Sequence, residues 1–269
     1  MAAEVARLAA DAGSLRRAFH FLPVVIVLAI WQAAVSFGLV DRAFLPSVAD
    51  IVAALWELVR SGELAANLLI SIYRALAGLA IGSVLGVAIG LAMATSRPAD
   101  RFFGPLVAMT YSLPKSSLIP LFILWFGIGD VTDILSVVLA CLLPVIVSTY
   151  HGVKSVPAVI VWSARAMGSP HHLILWRILL PGSLLSIFTG VRIALGFCFV
   201  LTISAEMIAA KSGVGKLIFL YGENGAYAHM FGGLTAVVIV AYFADRALLA
   251  VMHYCLRWHD SVYAAHRDG

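Results

Sequence analysis

Apolar residues fall in long blocks along this chain, and polar residues are confined to the gaps between them. The blocks run over about 21–40, 68–95, 103–127, 134–150, 184–207 and 231–255. A bilayer core of about 30 Å needs roughly 20 mainly apolar residues in a helix. The pattern therefore predicts an all-α integral membrane protein with about six transmembrane helices.

The gaps carry their own patterns. In 41–63, Ser47 precedes Asp50 by three, a capping-box start. Val48, Ile51, Val52, Leu55 and Val59 follow at helical spacing, which predicts a short amphipathic helix along the membrane surface. Residues 96–101 read as a short loop, 128–133 as an acidic loop, and 208–230 as a Gly-rich stretch with a short helix at 215–221. Within the second block, Gly78, Gly82, Gly86 and Gly90 fall every fourth residue and form a small-residue stripe that lets another helix approach closely. They are not a phosphate loop, because no strand precedes them and no Gly-Lys-Ser follows. The third block is interrupted by Pro105, Pro114 and Pro120 and predicts a broken helix, tolerated at membrane depth where protein or a water-filled cavity surrounds it.

The polar stretch 151–181 is long for so compact a chain. It reads as two short helices hinged at Gly168, with Ser169 capping the second and Pro170 in its first turn. Trp162, Ala166, Leu173 and Trp176 give the pair apolar faces. Physics alone leaves two readings, a docking surface for a partner or a surface loop pinned to the membrane by its tryptophans.

Composition supports a lipid solvent: 62% of residues are hydrophobic and 12% charged, against about a quarter charged in soluble domains. The net charge of +4 does not indicate nucleic-acid binding, because the basic residues are dispersed. They act instead as topology signals. Arg7, Arg16, Arg17, Arg97, Arg101, Lys154, Arg165, Arg177, Arg257 and Arg267 lie on one side, and only Arg42, Arg60, Lys211 and Lys216 on the other. The positive-inside rule makes both termini and the 151–181 stretch cytoplasmic and turns 128–133 outward. This divides the chain into a cytoplasmic segment 1–20, one membrane domain 21–256 and a cytoplasmic tail 257–269. The first block competes with a cleaved signal peptide; its full-span length and long polar lead favour a retained helix. Cys141, Cys198 and Cys255 lack metal-ligand spacing and read as small buried side chains.

Ionisable residues at membrane depth are costly and are functional candidates by default. Lys115 follows Pro114 in the broken block; it reads either as attracting an anion in a pathway or as capping carbonyls freed by the prolines. Glu206 gates an outer mouth, contacts an external protein, or pairs with a cation such as Lys211. Arg192 snorkels or pairs near the 151–181 stretch, or takes a direct part in transport. Asp245 and Arg246, about 100° apart on a helix, take different partners. Arg74 snorkels at the outer end of its span. Ser112, Ser116, Thr202 and Ser204 line a pathway or bond back onto their own helices. His171 and His172 diverge on a helix and make no metal pair. No catalytic or metal cluster emerges, which weighs against a membrane-embedded enzyme.

The 151–181 stretch resembles the EAA loop of binding-protein-dependent ABC importer permeases, whose pattern is Glu-Ala-Ala, three residues, Gly, nine residues, Ile, one residue, Leu-Pro. Gly168, Ile178, Leu180 and Pro181 fit that spacing, while Trp162-Ser163-Ala164 replaces Glu-Ala-Ala and keeps only Ala164. Residues 113–129, Thr189-Gly-Val-Arg-Ile-Ala-Leu-Gly196, Ala205-Glu-Met207, Ser212-Gly-Val-Gly215 and Leu256-Arg-Trp258 resemble the nitrate/sulfonate/taurine permease group, over about residues 20–260. The resemblance implies a bacterial inner-membrane homodimer. Its EAA loops, here Ala164, Arg165, Gly168, His171, Ile178, Leu180 and Pro181, dock as coupling helices on cytoplasmic ATPase subunits. An external solute-binding protein delivers the cargo. The chain has no Walker A sequence, so ATP and Mg²⁺ are expected on the ATPase and no cofactor here. The implied cargo is a sulfonate, taurine, nitrate or small carboxylate, with a neutral pyrimidine-type vitamin precursor as the alternative. A passive channel is the reading from another class, but it needs no docking loop.

Overall fold

A computed structural model describes residues 22–257. The expected segment 1–20 and almost all of the tail lie outside the described residues. The elements are α1 (Leu22–Ser36), α2 (Val48–Arg60), α3 (Glu63–Thr95), α4 (Arg97–Tyr111), a 3₁₀ turn (Lys115–Leu118), α5 (Ile119–Phe126), α6 (Asp130–Lys154), α7 (Ala158–Ala166), α8 (His171–Ile174), a π turn (Leu175–Leu179), α9 (Leu180–Ala209), α10 (Val214–Glu223) and α11 (Tyr227–Cys255). Among the described residues there is no strand.

Four stretches are long and apolar enough to cross a bilayer: α3, α6, α11 and the continuous run His171–Ile208. Two predicted spans remain, the first and the broken third. The described part of the first ends at Ser36, where Gly38 takes a left-handed φ of 69° and turns the chain. This apolar helix of 15 residues begins at the edge of the described residues, so the other end of the predicted span lies outside them. The third is a bent pair, Arg97–Tyr111 and Lys115–Phe126, meeting at 99°. Pro114, with its fixed φ and missing N–H, separates α4 from the 3₁₀ turn. The expected loop at 96–101 is a single extended residue, Ser96, after which Pro98 in the first turn starts α4.

The core is built by α3, α6 and α9. The glycine stripe of α3 lies directly on α6. A Cβ at Gly78 would come within 2.5 Å of Val137, at Gly86 within 2.7 Å of Val145, and at Gly90 within 2.8 Å of Thr149. On the other side of α6, Gly152 meets Ser186 and Gly190 meets Ser148 with the same closeness. Lipid tails are as apolar as leucine, so close van der Waals contact, not burial from water, holds such helices together. Cys141 and Cys198 sit in this core, whereas Cys255 is exposed.

Helix α2 begins with the expected capping box: the Ser47 hydroxyl accepts from the Asp50 amide, and the Asp50 carboxylate accepts from the Ser47 amide. The Ser47 hydroxyl also donates to the Asp50 carboxylate at 2.7 Å, and this bond, ahead of the one from the Ser47 amide, holds the Asp50 carboxyl below its ordinary pKa. The helix packs on α11 where Gly232 meets Leu55. Val52, Trp56 and Val59 remain exposed.

Candidate functional site

The two ends of the α3/α6/α9 core carry different chemistry. At one end, α7 and α8 are joined by a helix C-cap built on Gly168, whose φ is +78°. The Gly168 amide donates to Arg165 and the Ser169 amide to Ala164, the two bonds of a Schellman cap. The expected cap on the second helix is not made by Ser169: the cap position is Pro170, extended and without a side-chain bond. Nor is that second helix separate. It runs through the π turn into α9, so Pro181 does not break the rod but stands just past a widened turn. A proline lacks the N–H that would close the α-helical bond there, and the π turn takes up the change of register. The long polar stretch also shortens, because α6 continues to Lys154.

The inner face of this hairpin is closed. Ala164, Ile174, Leu179 and Val153 are buried together with Ile178 beside them. Ala164, the one alanine kept from the family pattern, is 4% exposed. The outer face is open: Val159, Ile160, Trp162, Met167 and Trp176 are exposed, and Arg165, Gly168 and His171 stand with them. Trp162, where the pattern has glutamate, thus points outward. Leu180 and Pro181 are half-buried at the root.

At the opposite end lies a buried charge node. Arg74 is only 3% exposed and does not snorkel. Its guanidinium bonds Asp130 (Nε at 2.8 Å, Nη2 at 2.6 Å), lies 3.2 Å from Asp133, and donates to Glu206 at 3.0 Å and to the Ser212 carbonyl at 2.7 Å. Glu206 is fully buried. It also accepts from Ser71 and from the Gly215 amide at 2.9 Å. Lys211 is therefore not its partner. A Cβ on Gly213 would fall on the Glu206 carboxylate, and one on Gly215 would come within 2.6 Å of its stem. The Ser212-Gly-Val-Gly215 stretch is thus a backbone cradle for a carboxylate. Asn67 and Ser71 accept from the Gly213 and Val214 amides and tie that cradle to α3. Asp130 and Asp133, read from sequence as an acidic loop, form the first turn of α6, where the helix dipole favours them. The signal that was available is Arg74's position one turn before Gly78, on the face that must meet α6.

The remaining candidates do not converge. Ser112 and Ser116 are exposed and Lys115 half-buried at the bend between α4 and α5, with the Lys115 ammonium 6.0 Å from the Tyr111 ring centre. The Thr202 hydroxyl donates to Cys198 and that of Ser204 to Val200, each back onto its own helix. Among the described residues no hydrogen bond or ion pair joins Lys115 to Glu206, Thr202 or Ser204, and no cluster of metal-ligating side chains occurs. Arg192 pairs with Asp245 rather than near the α7–α8 hairpin, and Arg246 lies over Tyr242, so the two neighbours take different partners as expected.

The chain is 38% identical over 254 residues to the putative aliphatic sulfonates transport permease protein SsuC of Escherichia coli (strain K12), spanning 93% of this chain and 94% of that one. It is 33% identical to the protein so named in Bacillus subtilis (strain 168), over 89% of this chain and 87% of the other. It is 30% identical to the taurine transport system permease protein TauC of Escherichia coli (strain K12), over 88% of each. Among solved structures, the inward-facing MetNI methionine ABC transporter superposes with a TM-score of 0.62 over 74% of this chain and 96% of that one, at 20% identity, a likeness of fold. Residues 64–255 match the family described as binding-protein-dependent transport system inner membrane component, and with its spans, its glycine-packed core and its hinged hairpin, this chain belongs to that family.

Proposed function

We propose that this chain is the translocation subunit of an ATP-driven importer for small organic anions, aliphatic sulfonates first. It works as a homodimer, with both termini and the α7–α8 hairpin in the cytoplasm. A separate ATPase binds ATP and Mg²⁺ and performs the hydrolysis. A solute-binding protein outside delivers the cargo.

The observation that carries this reading is the hairpin's two-sidedness. Its inner face is packed onto the core and its outer face presents Trp162, Met167 and Val159 unpacked. Exposed apolar patches of this kind mark interaction sites. The continuity of α8 with α9 means that a push on the hairpin moves a membrane-spanning rod directly. The cargo class follows from relatives named for sulfonates and taurine. Lys115, Ser112 and Ser116, accessible at the bend, are the pathway residues we favour. Thr202 and Glu206 have their polar atoms engaged inside the core.

Reconstitution tests the reading. The chain, an ATPase and a binding protein from the same cell are placed in liposomes, and ATP-dependent uptake of ethanesulfonate is followed. Uptake that needs all three components is the expected result. Uptake without the ATPase would instead establish a passive channel. Lys115→Met should lower uptake while the complex still assembles; unchanged kinetics would remove Lys115 from the pathway.

A further inference from the structure

An ion pair near the middle of two membrane spans is a costly feature that packing does not require. Arg192 lies near the middle of the run His171–Ile208, and Asp245 near the middle of Tyr227–Cys255. Nε of Arg192 donates to Oδ1 of Asp245 at 2.7 Å and Nη2 donates to Oδ2 at 3.0 Å. This is the two-pronged geometry with which a guanidinium takes any planar or tetrahedral oxyanion. The pair is not sealed. The Arg192 side chain is 48% exposed and that of Asp245 26%, unlike Arg74. Both line a cavity of about 440 Å³ between α9 and α11, walled by Thr189, Ile193, Gly196, Phe199 and Ala241. That volume lies in the range of small-molecule sites, which combine apolar walls with a few placed polar groups. A guanidinium has five N–H donors. Asp245 takes two, and among the described residues no acceptor meets the others.

We propose that this cavity is an oxyanion site within the membrane: Arg192 binds the cargo's sulfonate, and Asp245 is an internal carboxylate that occupies the same guanidinium fork until cargo displaces it. The inference rests on the anionic-cargo reading above. The carboxylate keeps the arginine from standing unpaired at membrane depth when no cargo is present. It also weakens cargo binding enough to allow release, since a translocation site must let go of what it takes up.

The two partners then have opposite roles, and this separates the proposal from a merely structural ion pair. Binding of radiolabelled ethanesulfonate is measured on the intact permease–ATPase complex in nanodiscs, with uncharged dimethyl sulfone as competitor control. Arg192→Met should abolish binding. Asp245→Asn, which removes the competing charge, should tighten it by about tenfold and slow uptake through delayed release. Arg192→Lys should restore part of the binding. If both substitutions weaken binding alike, or neither changes it while the complex stays folded by size-exclusion chromatography, the pair is structural and the proposal fails. If dimethyl sulfone competes as well as unlabelled ethanesulfonate, the site reads shape rather than charge, and the proposal again fails. Wild-type import of ethanesulfonate with unaltered variants overturns only this site. Wild-type failure to import any small anion overturns the cargo class along with it.

Discussion

The Arg74 node and the α7–α8 hairpin lie at opposite ends of the same three-helix core and solve opposite problems. The node draws α3, α6, α9 and the turn before α10 onto one guanidinium; Arg74, Asp133 and Glu206 are buried, and only Asp130 stays open to the outside. The hairpin buries one face and leaves the other bare. Buried charges hold a fixed arrangement, because separating them leaves a charge without a partner. An exposed apolar face gains only when something covers it. One end is therefore built to stay closed within the chain, and the other, on the function proposed above, to be completed by another molecule.

Substitutions should separate the two ends, beginning with the largest effect. Arg74→Met leaves Glu206 and Asp133 buried without their cation and should destabilise the fold by about 3–5 kcal/mol, read as a lower melting temperature in detergent. If the melting temperature does not move, the node is not a clamp. Gly86→Val drives a side chain into Val145 and should cost roughly 1–3 kcal/mol or more, again seen in melting. At the hairpin, Gly168→Pro cannot adopt φ of +78° and should abolish ATPase docking or uncouple hydrolysis from uptake, while the node end melts as before; wild-type transport in this variant would refute the coupling role. Gly168→Ala has open space around its new methyl and pays only for the left-handed backbone, about 1–2 kcal/mol, with partial loss of docking. Ser47→Ala removes the α2 cap and should cost about 1 kcal/mol without touching either end. The depressed Asp50 carboxyl makes the same cap insensitive to pH near neutrality. Its contribution is complete above the unfolded carboxyl's pKa and declines only as acid protonates the folded group.

Much of the architecture was legible because it rests on local chemistry. Block lengths announced a membrane protein, the four-residue glycine period announced a helix contact, and Ser47 with Asp50 announced a cap. Gly168 announced a hinge, and its backbone bonds are those of a helix C-cap. The site residues were less legible. Arg74 and Glu206 looked like two separate charges near helix ends, and Asp130 and Asp133 like a solvated loop. The third block announced a break but not its 99° angle, and the separation of the 151–181 stretch from the block at 184 hid the continuous rod that the π turn makes of them.

Sequence alone determined which segments enter lipid, which helix faces are small enough for close approach, and where the polar hairpin hinges, because each depends on side chains a few residues apart. Only the tertiary structure decided which charges meet. Arg74 reaches Asp130 and Glu206 across 56 and 132 positions, and Arg192 reaches Asp245 across 53. Those pairings depend on the rotation and depth of whole helices, set by packing of the glycine stripes, and a charge in a span carries no local mark of the partner that such packing will bring to it.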